Sequence, residues 1–181
     1  MSLPLAKDQE RFLLSLARQA VEHYLRTGEK LRIKVEDPVL KEKRGAFVTI
    51  KVNGELRGCI GYPLPVKPLY QTIIDMAIAA ATEDFRFQSL GLGELEKAKF
   101  EISVLSLPVE VKNPSDVEVG KHGIIISKGF NKGLLLPQVP CEYDWDLETY
   151  LCHGCLKAGL DKNEWKKGVQ IEVFTAQVFS E

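Results

Sequence analysis

An α+β fold with an antiparallel sheet is what this sequence predicts, and three observations carry the prediction. Asn53-Gly54 separates two strand-like runs, the strongest short-range hairpin signal. A long amphipathic helix comes before that hairpin. Later helices and strands follow one another without the regular alternation that a parallel sheet of βαβ units requires. The 181 residues hold no repeat, low-complexity tract or Gly/Ser linker, so the expectation is a single domain over 1–181, with or without a small lobe, large enough to bury its own core.

The elements follow in chain order. Met1–Leu3 read as a leader and carry no weight. In residues 8–27, Leu13, Leu16, Ala17, Ala20, Tyr24 and Leu25 recur at helical spacing, and Gly28 stops the helix, which is expected to pack on the rest of the domain. Ala46 to Val52 and Glu55 to Ile60 form the hairpin; a two-residue loop puts Ile50 opposite Arg57 and Val48 opposite Cys59, unless a bulge at Gly58 turns one of them over. Pro63, Pro65 and Pro68 end the strand, and an alanine-rich helix runs from about Leu69 to Thr82. Phe85-Arg86-Phe87 sits at a turn. Phe100 to Leu107 alternates as a strand, and Gly123 to Ser127 and Gly133 to Leu136 read as two more, joined near Gly129. Leu147 to Ala158 is a helix with Asp144 or Asp146 as N-cap and Gly159 beyond its C-terminus. Val169 to Phe179 closes the chain as one strand.

Composition narrows the function classes. Lys and Arg number 24 against 25 Asp and Glu, a formal net charge of −1, which supplies no global field for nucleic acid or an anionic membrane. The N-terminal residues carry an acid and a base where a secretory signal needs an apolar core, and no run is long enough to span a bilayer, so a soluble cytoplasmic protein is expected. Four cysteines in a chain of this length do not make a disulfide framework.

The most informative stretch is Leu56-Arg57-Gly58-Cys59-Ile60-Gly61-Tyr62. Glycine inside a strand usually marks a bulge or a close approach of ligand or backbone. The segment is therefore a candidate wall of a ligand site, with Arg57, Gly58, Ile60 and Gly61 as ligand-binding residues and Cys59 as a nucleophile whose thiolate a nearby cation would favour. The competing reading makes Cys59 a small apolar filler. Arg86, between two phenylalanines, suits anion binding or structural stacking. Glu142 follows Pro140 among apolar and aromatic residues, where a carboxylate needs a partner or a task, such as moving protons; Gln138, between Pro137 and Val139, is a similar polar interruption. His122 in its glycine-flanked turn is a general-base candidate or a structural histidine. Cys152-His153-Gly154-Cys155 offers two thiols of a metal site but lacks a second pair, and on a helix Cys152 and Cys155 share a face, which favours packing; no metal is assigned. Gly120 to Gly133 matches no phosphate-binding fingerprint, and no cofactor motif is complete.

Leu56 to Gly61, Glu83-Asp84-Phe85-Arg86-Phe87, Gly133 to Val139 and Cys155 to Gly159 together resemble the AMMECR-type domain family, named for a human chromosomal region linked to nephritis, midface hypoplasia and elliptocytosis. The resemblance runs from about Gly45 to the C-terminus and points to an archaeal or bacterial member. It implies an α+β domain with a central antiparallel sheet flanked by helices, a smaller lobe, and the Gly-Cys strand lining the cleft between them. The family pattern falls on Arg57, Cys59, Arg86, Gln138, Glu142 and Cys155. Phe85 stands where the family commonly has proline, and Cys152, His153 and His122 are outside the pattern, which leaves Glu142 as the better candidate base. The resemblance brings no established activity. Two expectations remain: a small-molecule-binding or thiol-dependent catalytic site around Cys59, or an interaction module for a protein or RNA partner.

Overall fold

The computed structural model describes residues 4–181, so the expectation for Met1–Leu3 lies outside it. In chain order the elements are α1 (Lys7–Thr27), α2 (Pro38–Lys41), β1 (Ala46–Val52), β2 (Glu55–Tyr62), α3 (Leu69–Thr82), α4 (Leu92–Leu95), β3 (Ala98–Leu105), β4 (Val109–Val111), β5 (Gly123–Lys128), β6 (Asn131–Leu135), α5 (Val139–Glu142), α6 (Leu147–Lys157), β7 (Gln170–Phe174) and β8 (Ala176–Ser180). The fold is α+β, with two four-stranded antiparallel sheets in place of one central sheet. The chain divides into two compact units, 106–176 and a larger one formed by the segments before and after it.

In the larger unit the strand order is β2-β1-β3-β8. Ala46, Val48 and Ile50 of β1 and Phe100, Ile102 and Val104 of β3 bury one face against Leu13, Ala17 and Ala20 of α1 and Ile73 and Ala77 of α3. Small residues on the helices let them come close to the sheet, and each large aliphatic side chain removed from water contributes about 1.5–3 kcal/mol before entropy is counted. Gly28, at φ +75°, ends α1 in the left-handed conformation expected of it.

The hairpin turns at Asn53 (φ +54°) and Gly54 (φ +84°), with Val52 opposite Glu55 as the two-residue loop requires. Lys51 still faces Leu56, and only beyond that pair does the expected register fail. A shift between Ile50 and Lys51 leaves Arg57 as the extra residue, so Ile50 faces Gly58 and Thr49, not Val48, faces Cys59. The bulge sits one residue before Gly58 and moves Cys59 off the face that Val48 and Ile50 bury.

In the smaller unit the order is β4-β7-β5-β6, and its separate core joins Ile124, Ile126, Ile171 and Val173 to Tyr150, Leu151 and Cys155 of α6. Asp146, not Asp144, caps α6 by accepting the Thr149 N–H at 2.8 Å. The expected single strand over 169–179 is two strands, β7 and β8, in different sheets. They divide at Thr175, whose N–H and C=O are both taken by Ser106, at 3.0 and 2.8 Å. Tyr150 is fully buried, and its O–H is shared by the carbonyls of His122, Leu135 and Leu136 at 3.1–3.3 Å. Tyr150→Phe leaves those carbonyls without it, and we expect a loss of about 1–2 kcal/mol in thermal or urea unfolding with an unchanged circular dichroism spectrum.

Candidate functional site

In the larger unit the site is organised by a residue that the sequence did not single out, Asp84. It follows α3, is only 4% exposed, and uses both carboxylate oxygens twice. Oδ2 accepts the Cys59 backbone N–H at 2.9 Å and Arg86 Nη2 at 2.7 Å, while Oδ1 accepts Arg86 Nε at 2.9 Å and the Arg86 backbone N–H at 3.2 Å. The last contact closes an Asx turn, which gives the Asp-x-Arg spacing its local shape. The Arg86 guanidinium, first, and then the Cys59 and Arg86 N–H groups hold the Asp84 carboxyl well below the usual carboxylate range, against the opposing effect of burial. The same contact raises Arg86 further above its ordinary value, and the charge of a Cys59 thiolate would add to that. Arg86 Nη2 also lies 3.5 Å from the Cys59 carbonyl.

Cys59 and Arg86 are thus brought together by one carboxylate. The Arg86 side chain stays 45% exposed, with its ring neighbour Phe87 5.4 Å from the guanidinium carbon. The Cys59 thiol is partly buried, and Thr49 Oγ1 donates to its sulfur at 3.1 Å. Thr49 became its neighbour through the bulge and could not be read from an unshifted hairpin.

The other strand candidates hold structural positions. Arg57 forms a two-pronged pair with Glu94, Nε to Oε1 at 2.9 Å and Nη2 to Oε2 at 3.1 Å, and donates to the carbonyls of Gln88 and Ser89 at 2.7 and 3.4 Å. Its guanidinium is committed to protein, and it lowers the Glu94 carboxyl, with help from the Gly91 N–H. The space beside each glycine is filled from within. A Cβ on Gly58 would lie 1.9 Å from the Ala80 carbonyl oxygen of α3, and one on Gly61 would lie 2.0 Å from the Phe47 ring. Ile60 is partly buried against the core. Phe85 is 95% exposed.

In the smaller unit Gln138 precedes α5 and Glu142 is its last residue, and both are exposed. Glu142 is solvent-exposed and Pro140 is the buried residue of the short helix, so the Glu142 carboxylate does not need the partner that burial would demand. His122 is buried, and its Nδ1 accepts the Glu118 N–H at 3.1 Å, which occupies the lone pair a general base would use. Cys155 is sealed in the core, and burial pushes its thiol up, while Cys152 is partly buried. Among the described residues no three His, Cys, Asp or Glu side chains gather as a metal-ligand set, and no helix is long and apolar enough to cross a membrane.

The AMMECR1 family model matches residues 14–179. A Methanopyrus kandleri protein is 47% identical over 191 residues, covering 100% of this chain and 92% of that protein, and a Methanocaldococcus jannaschii protein is 44% identical, covering 98% and 92%. The crystal structure of an uncharacterised protein of Pyrococcus horikoshii superposes with a TM-score of 0.82 at 40% identity, over 98% of this chain and 93% of that one. Sequence motifs, fold and relatives agree: the chain belongs to the AMMECR1 family.

Proposed function

We propose that this AMMECR1-family chain is a single functional domain that binds a small molecule bearing a carboxylate or phosphate. Arg86 is the recognition group, and Cys59 is the thiol that touches or attacks the bound molecule. One observation carries the reading: the buried carboxylate of Asp84 fixes an accessible guanidinium and the backbone of a partly accessible cysteine in a single hydrogen-bonded unit. A guanidinium held by its Nε edge keeps Nη1 for an anion, and it is already in place before the ligand arrives. Thr49 orients the thiol.

Alkylation with two reagents of opposite character tests this. The rate ratio of anionic iodoacetate to neutral iodoacetamide is measured in native protein at each cysteine by peptide mass spectrometry. The ratio at Cys59 should exceed that at exposed Cys141 several-fold, and Arg86→Gln should erase the difference. Equal ratios at the two cysteines in the unmodified sequence would overturn the proposal.

A second reading, an interaction module for a protein or RNA partner, is favoured by Phe85, whose side chain is almost fully exposed one residue before Arg86 in the chain. It treats the thiol as a bystander, so it expects no preference for the anionic reagent.

A further inference from the structure

A second recognition surface lies in the smaller unit, independent of Cys59 and Arg86. Cys141-Glu142-Tyr143-Asp144-Trp145-Asp146-Leu147-Glu148 alternates acidic residues with large apolar ones and contains no cation. Tyr143 stacks on Trp145, with centroids 5.1 Å apart and planes 21° apart, and Trp145 stacks on His153 of α6 at 3.9 Å and 8°. Three rings from one loop and one helix form a continuous column. Asp144 between them adopts φ +52°, a left-handed conformation uncommon without glycine, and the Trp145 N–H closes the loop on the Pro140 carbonyl at 2.8 Å. Tyr143 ends the column with 65% of its surface exposed. Trp145 packs partly against the core of this unit, whereas Tyr143, stacked on it and largely exposed, carries the aromatic column beyond what that core covers.

The charges around the column select its occupant. Asp146 is committed to the Thr149 N–H, and Glu148 receives Lys166 at 2.7 Å. The two residues that alternate with the rings in the chain, Glu142 and Asp144, are thus exposed carboxylates without an ion-pair partner among the described residues. Phosphate would be repelled there, whereas a planar cation gains from stacking and from charge together.

We propose that the Tyr143–Trp145–His153 column docks an arginine side chain from a basic segment of a protein partner, with Glu142 and Asp144 receiving the guanidinium edges. Arginine fits better than lysine because its flat cation covers the ring while its N–H groups point outward to carboxylates.

The test uses the full chain and three short capped peptides that alternate glycine with arginine, lysine or citrulline, the last a neutral isostere of arginine. Binding is followed through the Trp145 indole N–H signal in NMR, assigned against Trp145→Phe and separate from Trp165. The arginine peptide should shift that signal saturably, bind more tightly than the lysine peptide, and lose affinity as salt rises. Citrulline should produce no shift. Tyr143→Ala, at an exposed position, should weaken binding about five- to tenfold, and Glu142→Gln with Asp144→Asn by about as much while flattening the salt dependence. Asparagine tolerates the left-handed backbone, so the paired variant retains the loop. No shift with the arginine peptide at millimolar concentration, an equal response to citrulline, or tighter binding of a single-stranded oligonucleotide at Trp145 would overturn the proposal.

Discussion

Gly58→Ala is expected to destabilise the protein by about 3 kcal/mol, at the upper end of what overpacking does in a closed interior. The added methyl carbon would meet the Ala80 carbonyl oxygen at 1.9 Å and the Ala80 carbonyl carbon at 3.0 Å. Both atoms belong to helix backbone, so no rotamer change relieves the clash, and either β2 or α3 must move. A fall in the urea midpoint at unchanged slope measures the effect. Gly93→Ala is the control, because nothing lies within 4 Å of its added carbon, and it should change stability by less than about 1 kcal/mol. A Gly58→Ala variant that unfolds like the parent would show that the strand does not need its close approach to α3.

Asp84→Ala should have the second-largest effect and, unlike the first, reach both stability and chemistry. It leaves the Cys59 N–H without a protein acceptor, opens the Asx turn at Arg86, and frees the guanidinium. An orphaned backbone donor costs about 1–3 kcal/mol, and the half-exposed position of Arg86 allows water to repair part of the loss, which places the expected value near 2 kcal/mol. The same variant should lose the iodoacetate preference at Cys59 even though Cys59 and Arg86 are both intact. Retention of the preference would show that Arg86 does not depend on Asp84 for its position.

The pH dependence follows with a definite sign. The folded-state carboxyl of Asp84 lies below its unfolded value, so its contribution is complete at neutral pH. It begins to fade as pH falls below about 4, where the unfolded chain takes up the proton first. It disappears only far into acid, as the folded carboxyl itself titrates. Between about pH 5 and pH 2 the parent should therefore lose more stability than Asp84→Ala does, and urea midpoints over that interval measure the difference.

Local signals carried much of the fold. Asn53-Gly54, the Leu69–Thr82 helix behind Pro68, the Gly129 turn and the stop at Gly28 are set by backbone chemistry within a few residues, and each appears where the sequence places it. Tertiary partners decided the rest. The bulge at Arg57 lies where the backbone of α3, distant in sequence, passes close to Gly58, and it gives Cys59 a neighbour one residue away from that of the unshifted hairpin. The split at Thr175 depends on Ser106, 69 residues earlier. In the site, Arg86 and Cys59 stand out by type, whereas Asp84, a carboxylate beside an arginine in a turn, reads as an ordinary solvated residue until its burial is known. Arg57 stands out by type as well, but its partner Glu94 lies 37 residues away and is not legible from the local sequence.

β2 ends its sheet, with β1 on one side. An unpaired strand edge is a template on which a stray extended chain can grow, and natural proteins block such edges with charge. By accepting the Cys59 N–H, Asp84 occupies a rung that an incoming strand would need, and Arg86 leans over the adjoining carbonyl. The carboxylate that positions the guanidinium therefore also guards the sheet against edge-to-edge polymerisation, and loss of Asp84 should appear as aggregation during storage even under conditions where the protein remains folded.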